Sequence, residues 1–255
     1  GVIMRVGFIG IGYMGRHMAK NIVRGGHELT VFDINRESAD EIIREGASWA
    51  ETPSAVGNDS EVVFTSLPKP QDVEEVLCGK AGVLSKMRKG STFIDLSTTD
   101  PSTINRISHC AKSVGVDVLD APVSGGTAGA RNGTLCIMVG GEIKVYEQCK
   151  SILDLIGDKV MYCGPLGSGA ICKIVNNLIG MSVAVILSEA FTLGIKAGVG
   201  PDILFRAVSK SSGNTARMEN LPQTLFKGNF EPGFQVDLAS KDVGLATNLG
   251  RDFKI

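Results

Sequence analysis

Residues 5–15 read Arg5-Val6-Gly7-Phe8-Ile9-Gly10-Ile11-Gly12-Tyr13-Met14-Gly15, a short apolar run that ends in a glycine-rich turn. A helical pattern then continues to Val23. Buried strand, glycine turn and helix, in that order, are the parts of a dinucleotide-binding βαβ unit. Gly10 permits the tight turn, Gly12 lets the backbone approach a pyrophosphate, and Gly15 lets helix and strand pack closely. The phosphates would sit at the helix N-terminus, where unsatisfied amides and the helix dipole favour an anion.

Working outward, residues 28–32 form a second strand pattern that ends at Asp33, eighteen residues past Gly15. A carboxylate there accepts hydrogen bonds from the adenosine ribose hydroxyls and repels a 2′-phosphate, which points to NAD. Asn35 and Arg36 follow, and an arginine can meet a phosphate, so NADP stays open as the alternative. The alternation continues with a helix over 36–45, a strand over 62–67, a helix over 71–77, a strand over 92–96, a helix over 101–114 and a strand over 116–121. Apolar strands separated by amphipathic helices imply a doubly wound, mostly parallel Rossmann-type sheet covered on both faces. Short strands at 135–139 and 160–162 complete it.

Ligands of such sheets lie beyond the carboxyl ends of the strands. That edge carries Leu67-Pro68, then Ser97-Thr98-Thr99, then Ser124-Gly125-Gly126. Each is also an ordinary turn composition. The third is the most informative, because a hydroxyl beside two unobstructed amides makes a small anion pocket suited to a carboxylate.

From residue 169 to 197 the pattern becomes one long helix of about 40 Å. It is apolar almost all round, which predicts burial between domains or subunits and hence a homo-oligomer. Further helices are expected over 201–209, 216–226 and 238–249, dividing the chain into a dinucleotide-binding domain over 1–164 and an all-helical domain over 165–255. Lys173 and Asn177 are four residues apart on the long helix and share one face. A lysine there can snorkel and asparagines can bond within an interface. Hydride exchange with an alcohol needs a proton-transfer group, however, and His17, His27 and His109 all fall away from the ligand edge. A partly desolvated lysine can fill that role.

Bulk properties set the outer limits. The 255 residues carry 26 basic and 27 acidic side chains, a net charge of -1 with no basic run, which gives no reason to expect nucleic acid or an anionic membrane as partner. The six cysteines show no CxxC pairing or metal-ligand spacing and read as reduced thiols. The N-terminus has no signal pattern. A cytoplasmic location follows, with the mitochondrial matrix as the alternative if a transit segment has been removed.

These residues resemble the β-hydroxyacid dehydrogenase family over nearly the whole chain. Gly10-Ile11-Gly12-Tyr13-Met14-Gly15 with Ala19 and Asn21 is similar to its cofactor signature, Leu67-Pro68 and Ser97-Thr98 to its nicotinamide-side loops, and Asp120 to Gly126 to its substrate motif. Gly167-Ser168-Gly169 with Lys173 and Asn177 is similar to the catalytic motif, and Lys241-Asp242 to a late motif whose lysine reaches the cofactor. The resemblance implies NAD(P)-dependent interconversion of a small 3-hydroxy acid, 3-hydroxyisobutyrate-like, and its semialdehyde. In it Lys173 is the general acid/base and Ser124, Gly125, Gly126 and Asn177 hold the small carboxylate substrate. Gly10 to Gly15, Asp33, Leu67, Pro68, Thr98 and Lys241 hold the cofactor.

Tartronate, glyoxylate and succinic semialdehyde reductases are the alternatives within the family. A non-catalytic dinucleotide-binding module is the alternative outside it, and the presence of Lys173 argues against that. The family usually continues several helical turns beyond Lys241-Asp242, whereas this chain stops at Ile255, which predicts a truncated helical domain.

Overall fold

The alternation of core-facing residues builds the first part of the fold. In the computed structural model, which describes residues 2–231 and 233–255, Arg5–Ile9 forms β1 and is buried from Val6 onward. There follow α1 (Gly15–Arg24), β2 (Glu28–Phe32), a 3₁₀ turn at Arg36–Ala39, α2 (Asp40–Arg44), β3 (Ser48–Trp49), α3 (Pro53–Gly57) and β4 (Val62–Thr65). Next come α4 (Pro70–Cys78), β5 (Thr92–Asp95), α5 (Pro101–Ser113) and β6 (Asp117–Asp120). Asp100 and Pro101 explain where α5 starts: the Asp100 carboxylate accepts the Thr103 N–H at 2.9 Å, and proline occupies the first turn, where its missing N–H costs nothing.

The strands β3-β2-β1-β4-β5-β6 lie side by side in that order, all parallel. Phe8, Phe64 and Ile94 pack on one face with Met18 and Ile22 of α1. Val63 and Phe93, one residue out of phase, pack on the other with Val73 and Leu77 of α4 and Ile104 of α5. Period-two alternation with both faces buried is why these strands read as continuous apolar runs. The chain passes from β1 to β2 on one side and returns to β4 on the other, so a crevice opens at the carboxyl ends of β1 and β4.

The remaining strands depart from the parallel pattern. After β7 (Val123–Ser124) and α6 (Gly126–Asn132), β8 (Cys136–Gly140) runs antiparallel to β6 and β7, and β9 (Lys159–Gly164) follows α7 (Ile143–Leu153) and pairs parallel with β8. The register links Asp120 with Gly140 and Ser124 with Cys136, while Gly140 aligns with Gly164. Strands β7 to β9 therefore extend beyond the carboxyl ends of the parallel strands, and β8 and β9 both run back to end level with Asp120. That return delivers the next helix to the ligand edge. Helices α6 and α7 were not marked by the sequence pattern. The first is glycine-rich, and the second sits where only a strand-to-strand link was expected.

By its contacts the chain forms two compact units, Gly1–Ile174 and Val175–Ile255. Helix α8 (Ser168–Lys196) contributes its first turns to one and the rest to the other. The second unit adds α9 (Pro201–Ser209), 3₁₀ segments at Ala216–Gln223 and Leu225–Lys227, and α10 (Val236–Asp252). The expected helix over 216–226 is thus 3₁₀ in character, and Pro222, which lacks an N–H, breaks the α-helical ladder there.

Within this chain α8, expected to lie buried between domains or subunits, is covered along one stripe. Leu187 and Phe191, one turn apart, pack with Met218, while Val185, Ile186 and Leu193 are 58, 60 and 72% exposed. One stripe of the helix has neighbours to pack on in its unit and the others do not. By length and composition alone, with a mean hydropathy of 1.9 over its most apolar window, α8 could also cross a membrane.

Candidate active site

The glycine turn after β1 divides its labour as its spacing predicts. Gly10 has φ +96°, and a Cβ there would run into the Ser66 carbonyl oxygen; a Cβ on Gly15 would run into the Gly10 carbonyl oxygen. Gly12 has nothing within 4 Å of where its Cβ would be. The two outer glycines are thus fixed by packing, and the middle one leaves an open approach to the start of α1. That opening, with the amides of the first turn of α1, fits a pyrophosphate. Tyr13 is exposed, and Met14 occupies the N-cap of α1.

Asp33 braces the same loop. Its Oδ2 accepts the Ile11 N–H at 2.6 Å and its Oδ1 the Asn35 N–H at 2.8 Å. Each carboxylate oxygen has a further lone pair to offer a ribose hydroxyl. Arg36 is directed elsewhere: its guanidinium lies 4.7 Å from the Trp49 ring centroid and 2.8 Å from Asp40.

The loops after β4 and β5 are tied together by a buried carboxylate that sequence patterning passed over as a functional residue. Asp95 accepts from the Thr65 hydroxyl at 2.9 Å, the Ser97 N–H at 3.0 Å and the Thr99 hydroxyl at 2.5 Å. Ser97 Oγ in turn accepts the Leu67 N–H at 2.9 Å. Leu67 also lies across Gly10, and Thr98 sits half-buried between two anchored neighbours, with Pro68 exposed. The signal was present: a carboxylate ending an otherwise apolar buried strand needs partners.

Ser124 is half-buried, and Gly125 and Gly126 both have positive φ, +135° and +64°. Nothing lies within 4 Å of a Cβ built on Gly126. The loop is therefore open on that side, as a small anion would require.

Asp120, at the end of β6, holds the start of α8. It is 1% exposed, and its Oδ1 accepts the Gly167 N–H at 2.7 Å while Oδ2 accepts the Ala170 N–H at 2.8 Å. These are donors that a helix start leaves without intrahelical partners. The approach needs glycines: a Cβ on Gly140 would come within 2.5 Å of Asp120 Oδ1, and one on Gly169 would strike the Met138 carbonyl oxygen. Lys173, one turn further along, is 8% exposed.

Burial raises the Asp120 pKa from 3.8 to about 6, against the two backbone hydrogen bonds, which favour the anion, and with a smaller push from the charge of Asp95. Because the folded value is the higher, Asp120 contributes stability that is fully present below pH 3.8 and is lost as pH rises through about 6. Replacing it with asparagine should remove a pH dependence of about 3 kcal/mol over that window. Denaturant midpoints measured across the window check this.

The second unit carries its own arrangement. Asn177 Nδ2 donates to Asp242 Oδ2 at 2.6 Å, and Asn177 Oδ1 accepts from Asn176 at 3.0 Å. The Lys241 ammonium is 3.0 Å from Asp242 Oδ1, an ion pair whose alignment falls short of a hydrogen bond. Asp242, 2% exposed, thus joins two residues that the sequence motifs had kept apart.

Comparison with known proteins identifies relatives of both parts of the chain. Residues 5–164 match the NAD binding domain of 6-phosphogluconate dehydrogenase, and residues 167–255 match the NAD-binding domain of NADP-dependent 3-hydroxyisobutyrate dehydrogenase. The chain is 39% identical over 251 residues to 2-(hydroxymethyl)glutarate dehydrogenase of Eubacterium barkeri, covering 98% of this chain and 83% of that one. It is 39% identical over 243 residues to 2-hydroxy-3-oxopropionate reductase of Escherichia coli, covering 95 and 83%. The structure of Mycobacterium tuberculosis 3-hydroxyisobutyrate dehydrogenase with L-serine superposes with a TM-score of 0.92 at 30% identity, covering 100% of this chain and 89% of that one.

Proposed function

Since the chain belongs to the β-hydroxyacid dehydrogenase family and is an NAD(P)-dependent hydroxyacid dehydrogenase, we propose that it interconverts a small, 3-hydroxyisobutyrate-like 3-hydroxy acid and its semialdehyde. The observation that carries this reading is Lys173, buried one turn into a helix whose start is held by Asp120 at the carboxyl edge of the sheet that bears the glycine loop. Gly10, Ile11, Gly12, Tyr13, Met14 and Gly15 hold the cofactor together with Asp33, Leu67, Pro68, Thr98 and Lys241. When bound, the nicotinamide supplies or accepts the hydride. The Ser124 hydroxyl and the Gly125 and Gly126 amides bind the substrate carboxylate. Asn177, oriented by Asp242, steadies the substrate, and the Lys173 ammonium gives its proton to the carbonyl oxygen in reduction and regains it in oxidation. Turnover followed by nicotinamide absorbance, across a panel of 3-hydroxy acids and semialdehydes with each cofactor, tests the assignment. No turnover of any member would overturn it.

NAD is the favoured cofactor. Asp33, at the end of β2, has two anchored oxygens that can each accept from a ribose hydroxyl, and Arg36 is engaged by Trp49 and Asp40. We expect kcat/KM to favour NAD by about tenfold or more, the equivalent of one charge-assisted hydrogen bond. Asp33→Ser should narrow that ratio. A wild-type preference for NADP would reverse the assignment.

The exposed apolar stripe of α8 supports a homo-oligomer, since contiguous apolar surface is rarely left to water. The polar Lys173, Asn176, Asn177 and Glu189 on the same helix make a protein surface a better cover than lipid. Sedimentation showing monomer alone would defeat this reading.

A further inference from the structure

On the outer side of α1, flanked by α2 and α6, lies a cleft of about 440 Å³ that the proposed reaction does not use. Arg16, Lys20 and Arg24 line it at successive turns of α1, and Arg131 reaches it from the end of α6. One carboxylate, Glu41 of α2, stands among them. Like charges stacked at this spacing repel one another, so the balance of partners matters. Lys20 pairs with Glu41 and lies 3.4 Å from Glu45, and Arg24 is 3.0 Å from Glu45. Among the described residues, neither Arg16 nor Arg131 has a carboxylate at ion-pair distance.

Two further observations mark that end of the cleft. The Nε of Arg16 is shut off from solvent and has no hydrogen-bond partner, an unusual state for a buried donor. The Asn21 amide donates to the Ala130 carbonyl at 2.9 Å, tying α1 to α6 and so fixing the elements that carry the two arginines. The ring of His17 lies in the same cleft. Burial lowers its pKa, and Arg16, Arg131 and Lys20 lower it further against a weaker opposing effect of Glu41, so the ring reports a positive field.

We propose that this cleft binds a small polyanion, a phosphorylated or polycarboxylate metabolite, gripped between the forked guanidinium groups of Arg16 and Arg131. Arginine suits both chemistries because its planar donors meet a phosphate or carboxylate two at a time. The ligand would touch the two helices that begin directly after the glycine turn and after Ser124-Gly125. Its occupancy would therefore act on the KM values for cofactor and substrate. That consequence rests on the proposed function; the binding does not.

The test uses the full chain, saturated with NAD and held at constant ionic strength, and titrates it with inorganic tripolyphosphate while following heat and the His17 ring resonances. A single saturable site is expected, with the His17 pKa rising on binding and affinity falling at least tenfold in Arg131→Gln and again in Arg16→Gln. Circular dichroism confirms that each variant is folded. A parallel citrate titration separates the sources: preference for citrate identifies a polycarboxylate and preference for tripolyphosphate a phosphorylated ligand, and either supports the site. A response no larger than that to sodium chloride, unchanged affinity in Arg131→Gln, or complete loss of binding once NAD is saturating would overturn it.

Discussion

Lys173→Ala is expected to lower kcat by roughly 10² to 10⁴, the contribution of a positioned acid/base group, while dinucleotide affinity stays within about threefold of wild type, well under one tenfold step. The separation of effects follows from where the groups lie. The glycine turn and Asp33 hold each other through the Ile11 N–H, far along the chain from α8. None of the histidines can take over. His27 accepts the Met4 N–H at 3.1 Å, His17 faces the cationic cleft, and His109 lies within α5. Single-turnover kinetics would read the loss directly. A variant within tenfold of wild type would remove Lys173 from the mechanism.

Asp120→Ala should cost about 2–6 kcal/mol, because it leaves the Gly167 and Ala170 N–H groups buried without acceptors at about 1–3 kcal/mol each. At about 2–4 °C per kcal/mol for a chain of this size, the melting temperature should drop by roughly 4–24 °C. Activity should fall as well, since Lys173 lies one turn beyond the helix start that Asp120 holds. Asp120→Glu is no rescue: a Cβ on Gly140 or Gly169 already has no room beside this carboxylate, so there is no space for a longer side chain. Calorimetry and residual activity on the same samples distinguish a destabilised enzyme from one that is stable but misaligned.

Much of the molecule was legible in the sequence because its signals are local. The glycine spacing at residues 10–15, the carboxylate at Asp33 and the apolar period of the parallel strands are each fixed within a few residues of chain, and they specified the sheet and its ligand edge. The helix starting at Pro101 was equally plain, since Asp100 and Pro101 are its cap and first turn. What escaped is non-local. The reversal of β8 depends on a register that no short stretch encodes. The roles of Asp95 and Asp120 appear only when residues 30 to 50 positions away close on them. Asp242 looked like a companion of Lys241 and proves to orient Asn177 as well. The exposure of α8 could not be read from its composition, because an all-apolar helix is compatible with any covering partner.

The bonds from Asp120 also carry a meaning in the order of synthesis. Strands β1 to β6, the glycine turn and Asp33 are all made by residue 120, while the core on the α1 face is closed by later residues such as Ala130, Ile137 and Ile152. The acceptor for the start of α8 is then in place some 47 residues before its first donor, Gly167, is made. Asp120 would therefore wait for its backbone donors well after the strand that carries it has been made.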